Sequence, residues 1–248
     1  MNMLTAQIRR DLALMWAGRG DAAVMLAFFL IIITLFPLAV GPDPMRLQPV
    51  ALPVIWIAAL LASLAGFPRI FADDVRSGWI DQVALSPLPL PLYALSKVIT
   101  HWLVSALPML IATPLMAVML YVDMTRLAPL ILALGIGTLA LTLLGVLAAA
   151  LGEGARNSGG LMAILVLPLA VPILIFGTLA SSPISSGPVG KDPVGNDPVG
   201  YDPAGYDPAG YDIITPHLLL LMAVTAVLLA IVPVAAAAAL AEAEAESS

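Results

Sequence analysis

Residues 127–152 read LAPLILALGIGTLALTLLGVLAAALG, an unbroken run from Leu127 to Gly152 without Lys, Arg, Asp or Glu. A helix rising about 1.5 Å per residue needs roughly 20 apolar residues to cross a hydrocarbon core about 30 Å thick. This run is long enough, and five others match it: charge-free windows lie at 22–42, 47–68, 98–122, 157–190 and 213–241. The 248 residues are 61% hydrophobic and 10% charged, whereas about 25% of a soluble domain is charged. A soluble helix needs charge about once per turn on its solvent-facing stripe, and six such windows leave no room for it. Soluble enzymes and free nucleic-acid binders are thereby excluded. The expected fold is all-α: a polytopic membrane protein with six transmembrane helices, an N-terminal interfacial helix and a cytoplasmic coupling helix.

The net charge of −6 names no partner, because five Asp belong to one repeat and three Glu to the C-terminus. Without Cys there is no disulfide frame, Cys-ligated zinc or iron–sulfur cluster, and two His do not make a multi-His metal centre. Residues 1–17 carry Leu4, Ile8, Leu12, Met15 and Trp16 around Arg9, Arg10 and Asp11, the period of a helix lying flat in the membrane interface. The spans are expected at about 22–40, 49–67, 99–121, 127–151, 160–179 and 217–240. The first is read as retained rather than cleaved, and Gly41-Pro42-Asp43-Pro44 stops it. Window 82–96, with Pro87, Pro89 and Pro91, reads as a linker or re-entrant approach.

Lys and Arg in short loops set orientation. With the N-terminus inside, Arg9, Arg10, Arg19, Arg69, Arg76, Lys97 and Arg156 are cytoplasmic, and Arg46, Arg126 and Lys191 lie outside. Both termini are therefore expected in the cytoplasm. Residues 186–212 form a five-residue tandem repeat with Asp-Pro-x-Gly at its centre, a string of type I turns in the last outer loop. One carboxylate per repeat supplies too few oxygens for a Ca²⁺ site, so the loop reads as a solvated spacer.

Gly152 to Gly160 is the nearest approach to a phosphate-cradling loop and lacks its Gly-Lys pair, so nucleotide-driven work must come from another chain. His101 and His217 are candidate haem contacts, although a lone His at a membrane interface is more often an amphipathic anchor. Gly135, Gly137, Gly145, Ala148 and Gly152 permit close helix contact. The most informative polar segment is 73–85. Asp73 is expected to cap a short helix whose Val75, Trp79 and Val83 form one stripe. As a docking helix its candidate coupling residues are Asp73, Asp74, Arg76, Gly78, Trp79, Asp81 and Gln82; the plainer reading is an interfacial helix anchored by Trp79.

The chain also resembles a known family. Leu35 to Pro44 (LFPLAVGPDP), Val54 to Leu64 (VIWIAALLASL), Leu85 to Pro89 (LSPLP) running on to Lys97, and Leu167 to Gly177 (LPLAVPILIFG) are similar to the CcmB family, haem exporter membrane proteins of the bacterial cytochrome c maturation system and a family of ABC permeases. The similarity covers about 1–179 continuously and the last span more loosely, and the repeat is a departure from it. This divides the chain into 1–179, the interfacial helix and five spans; 180–216, the exterior loop; and 217–248, the sixth span and a short acidic tail. The resemblance implies a non-catalytic permease subunit in the bacterial plasma membrane. Its expected partners are a separate ATP-binding subunit, a haem-handling membrane subunit, a haem chaperone, membrane lipid and a second copy of itself. It implies no cofactor bound by this chain: haem is cargo, and ATP belongs to the partner. A tryptophan-rich haem motif is absent, which favours coupling ATP hydrolysis to chaperone release over conducting haem. The rival readings are a permease exporting a lipid or drug, and a membrane scaffold for haem-ligation proteins.

Overall fold

The computed structural model describes residues 3–17, 20–153, 158–181 and 216–247, and among these it contains helices and turns but no strand. In chain order the helices are α1 (Met3–Ala17), α2 (Gly20–Val40), α3 (Pro44–Leu47), α4 (Ala51–Gly66), α5 (Ala72–Arg76), α6 (Trp79–Ala84), α7 (Leu90–Met119), α8 (Leu127–Gly152), α9 (Ser158–Ala180) and α10 (Pro216–Ser247). Five helical stretches are long and apolar enough to cross a membrane: Ala22–Val40, Pro44–Arg76, Leu90–Met119, Met124–Gly152 and Pro216–Ala243. A shorter apolar stretch, Ile164–Ala180, lies where the fifth span is expected. The repeat at 186–212, with Lys191, and the inner-loop residues Arg19 and Arg156 lie outside the described residues.

α8 sits at the centre, packed against α4, α7, α9 and α10, and α4 lies inside α2, α7, α8 and α9. Close approach is made possible by absent side chains. A Cβ on Gly137 or on Gly177 would fall 2.3 Å from Trp56 Cη2, so the α4 indole fills a slot between bare backbone on α8 and α9. Its Nε1 donates to Ser181 Oγ at 3.0 Å, which satisfies the buried donor. Gly145 plays the same part beneath the Phe67 ring, whereas Gly135, also expected as a contact residue, meets only Leu110 at 3.9 Å. The outer faces of α2, α9 and α10 expose Leu35, Leu38, Ile164, Ile231 and Val234, as suits helices bathed in hydrocarbon.

Two expectations are corrected. α7 begins at Leu90, nine residues before the expected start at Ile99, so part of the proline-bearing approach is helix. Pro91 stands in its first turn, where the missing N–H costs no hydrogen bond. The segment 73–85 is two short helices rather than one. Gly78 has φ +64°, the left-handed region, and breaks the chain between α5 and α6. The position before α5 is Phe71, and Asp73 lies in the first turn instead of capping it. Val75, Trp79 and Val83 consequently share no single stripe: Val75 is exposed, Trp79 half-buried and Val83 buried.

Candidate functional site

α1 turns an unusual face inward. The residues it buries or half-buries are Leu4, Gln7, Ile8, Arg10, Asp11, Leu12 and Met15, so a carboxylate and an amide sit on the stripe that packs against α7. The break at Gly78 and the early start of α7 bring two more charges to the same place. Asp11 is 2% exposed, Asp74 3% and Lys97 5%.

Lys97 Nζ lies 3.3 Å from Asp11 Oδ2 and 2.5 Å from Asp74 Oδ2. Arg10 reaches the same two acids, with Nη1 2.9 Å from Asp11 Oδ1 and Nη2 3.2 Å from Asp74 Oδ1. Each cation thus touches both carboxylates, and the four form a closed, neutral ring joining α1, α5 and α7. Neutral donors reach the same carboxylates. Tyr93 Oη donates to Asp74 Oδ2 at 2.5 Å, and Gln7 Nε2 donates to both oxygens of Asp11 at 3.1 and 3.2 Å. Burial raises the Asp11 carboxyl above its ordinary value, against the pull of the Lys97 ammonium, while the nearby Asp74 carboxylate adds to the rise. Removing one partner from such a buried set costs about 3–5 kcal/mol, because an uncompensated charge is left behind.

The flat face of Arg10 lies over the Trp79 ring, with Cζ 3.7 Å from its centroid, so α6 is joined to the ring of charges as well. Trp79 therefore serves an internal contact. The outward groups of α5 and α6 are Asp73, Arg76, Asp81 and Gln82, followed by Leu85, which is 90% exposed. Asp73 and Arg76 pair with each other along α5. Of the seven candidate coupling residues, Asp74 and Trp79 face inward, Gly78 forms the break, and the other four face out.

Beside the charge ring lies a cavity of about 90 Å³, lined in part by Asp11, Met15, Met25, Gly66, Lys97 and His101. His101 is buried, its ring 6.2 Å from that of Phe67, and its Nε2 has no hydrogen-bond partner. Sites for ligands of drug size occupy roughly 300–1,000 Å³, so a haem does not fit here. His217 is half-buried in the first turn of α10, far along the chain from this cluster, with Nδ1 unpartnered. Among the described residues no cluster of three His, Cys, Asp or Glu is placed to hold a metal ion.

Sequence reasoning did not single out Tyr93, Gln7 or the pairing of Lys97 with Asp11 and Asp74. The visible signal was Asp11 itself, a charge at the same helical register as the apolar Leu4, Ile8 and Met15.

Residues 2–196 match the family described as CcmB protein. Similar proteins include Heme exporter protein B of Bradyrhizobium diazoefficiens, 41% identical over 184 residues, covering 74% of this chain and 83% of that relative. Heme exporter protein B of Haemophilus influenzae is 40% identical over 171 residues, 69% of this chain and 77% of the relative. That of Escherichia coli K12 is 45% identical over 174 residues, 70% and 79% of the two chains.

Proposed function

The chain belongs to the CcmB family, and from that membership we propose that it is the permease subunit of an ABC transporter for haem export in cytochrome c biogenesis. The observation that carries this reading is identity of 40–45% to proteins called Heme exporter protein B over most of both chains. It is a multi-pass protein of the inner membrane. Its six spans are α2, α4, α7, α8, α9 and α10, with Ile164–Ala180 as the apolar part of the fifth. Both termini are cytoplasmic, and α1 lies in the inner interface.

ATP is bound and hydrolysed by a separate subunit, since no phosphate loop occurs in this sequence. That subunit docks on the outward side of α5 and α6, at Asp81, Gln82 and the exposed Leu85. Trp79 supports this surface from within by packing on Arg10. A haem-handling membrane subunit, a haem chaperone and a second copy of this chain complete the assembly. Haem is cargo of the assembly; His101 packs in the α4–α7 interior and is not a haem contact in this reading.

Purification of the tagged chain from its native membrane in mild detergent tests the proposal. An ATP-binding subunit should co-purify, and deletion of the chain should abolish holo-cytochrome c. A wild-type chain that retains no ATPase, in cells that mature cytochrome c without it, would refute the assignment.

A further inference from the structure

The charge ring is built where the proposed docking segment meets the membrane-spanning bundle. α5 enters it through Asp74, α6 leans on it through Trp79, α7 supplies Lys97, and α1 supplies Arg10 and Asp11. Apolar packing also holds these elements, with Ile80 and Val83 of α6 buried and α1 lying along α7. α5 has five residues and α6 six, they are separated by the Gly78 break, and their outward sides are exposed.

Lys97 is the cation of the ring that belongs to a long helix, α7, whose 30 residues run from the charge ring across the bundle to Met119. We infer that Lys97 is the positioning residue that makes α5, α6 and α1 move as one body with α7, so that displacement of the docking segment reaches the third span. The chemistry is specific to a cation at this point. Asp74 and Asp11 lie on different elements, and an ammonium within reach of both holds two anions together that would otherwise repel. Arg10 does the same from the outer side but belongs to α1, so Lys97 is the cation through which both acids are held to α7. Tyr93, one turn earlier on α7, gives a second hold on Asp74 through its hydroxyl.

This inference rests on the permease reading for its functional arm, and a distance measurement stands apart from that reading. The chain contains no Cys, so Leu92→Cys on α7 and Arg76→Cys on α5, both exposed sites, carry two spin labels and no others. In lipid nanodiscs, alone and in complex with and without a non-hydrolysable ATP analogue, the labelled chain should give one narrow distance. Lys97→Gln should broaden it at least twofold. The double variant Lys97→Gln with Asp74→Asn removes one charge of each sign, so it should restore protein level while the distance stays broad. In the unlabelled complex the double variant should retain the ATPase and hydrolyse ATP within about twofold of wild type, yet yield at least tenfold less holo-cytochrome c. The inference is overturned if the double variant keeps the narrow distance, or if cytochrome output falls only in proportion to protein level and retained ATPase. Failure of the permease reading would show instead as a wild-type chain without ATPase, and the nanodisc distances on the chain alone would still decide the role of Lys97.

Discussion

Trp56 shows what one missing Cβ allows. Its ring is held on both sides by glycine, so Gly137→Ala places a methyl 2.3 Å from an indole that Gly177 prevents from retreating. Overpacking of this kind costs typically 1–3 kcal/mol, and pairing the change with Trp56→Leu should recover much of the loss. Thermal unfolding of the detergent-solubilised protein checks both, with Gly135→Ala as the near-neutral control because its neighbour is 3.9 Å away. The sequence singled out Gly137 and Gly145 as places for close contact, but it named Gly135 equally, since spacing alone does not say which neighbour faces a glycine. The charge ring was less legible still. Lys97 reads in the sequence as one more inner-face charge, and its partners Asp11 and Asp74 lie 86 and 23 positions away. Such pairing is set by how helices pack, which no local pattern encodes.

At the scale of the element, the α5–α6 break shows how one backbone angle overrides a plausible helical stripe. Gly78 at φ +64° accepts a conformation that costs an L-residue roughly 1–2 kcal/mol. Gly78→Val should therefore straighten or strain the segment and reduce co-purified ATPase several-fold at normal protein level. Asn tolerates the left-handed region, so Gly78→Asn should behave close to wild type. Because Trp79 serves an internal contact, the docking surface is tested from its outward side. Asp81→Lys with Leu85→Asp should lose the ATPase while insertion of the spans is unchanged, because both positions fall between the membrane-crossing stretches Pro44–Arg76 and Leu90–Met119. Immunoblots of membrane fractions and of the purified complex measure both quantities. The long helices were legible because charge-free length is a local property of the chain. The start of α7 was not, since a proline in a first turn and a proline in a linker look alike in sequence.

For the whole molecule, the proposed orientation rests on an expected seven basic residues on one side and three on the other. Reporter fusions at Gly41 and Tyr121 should report the periplasmic face, and fusions at Gly78 and Ser248 the cytoplasm. A fusion at Gly200 in the repeat should also report outside; an inward signal there would remove one crossing from the six-span map. Deleting 186–210 should leave the assembly and holo-cytochrome c intact, because repeated Asp-Pro turns offer almost no apolar surface to bury. Normal protein with lost cytochrome c would instead mark that loop as a working part.

The glycine slot around Trp56 has an optical consequence. An indole sealed from water by backbone on both faces emits at short wavelength and escapes aqueous quenchers. Trp79 and Trp102 are only half-buried. A chain with Trp16, Trp79 and Trp102 changed to Phe would leave Trp56 as its sole tryptophan, selectively excited beyond the tyrosine band and reporting from the junction of α4, α8 and α9. Any step of a transport cycle that parts those three helices would appear as a red shift with new sensitivity to iodide, and a cycle that moves only α7 and the docking segment would leave the emission unchanged.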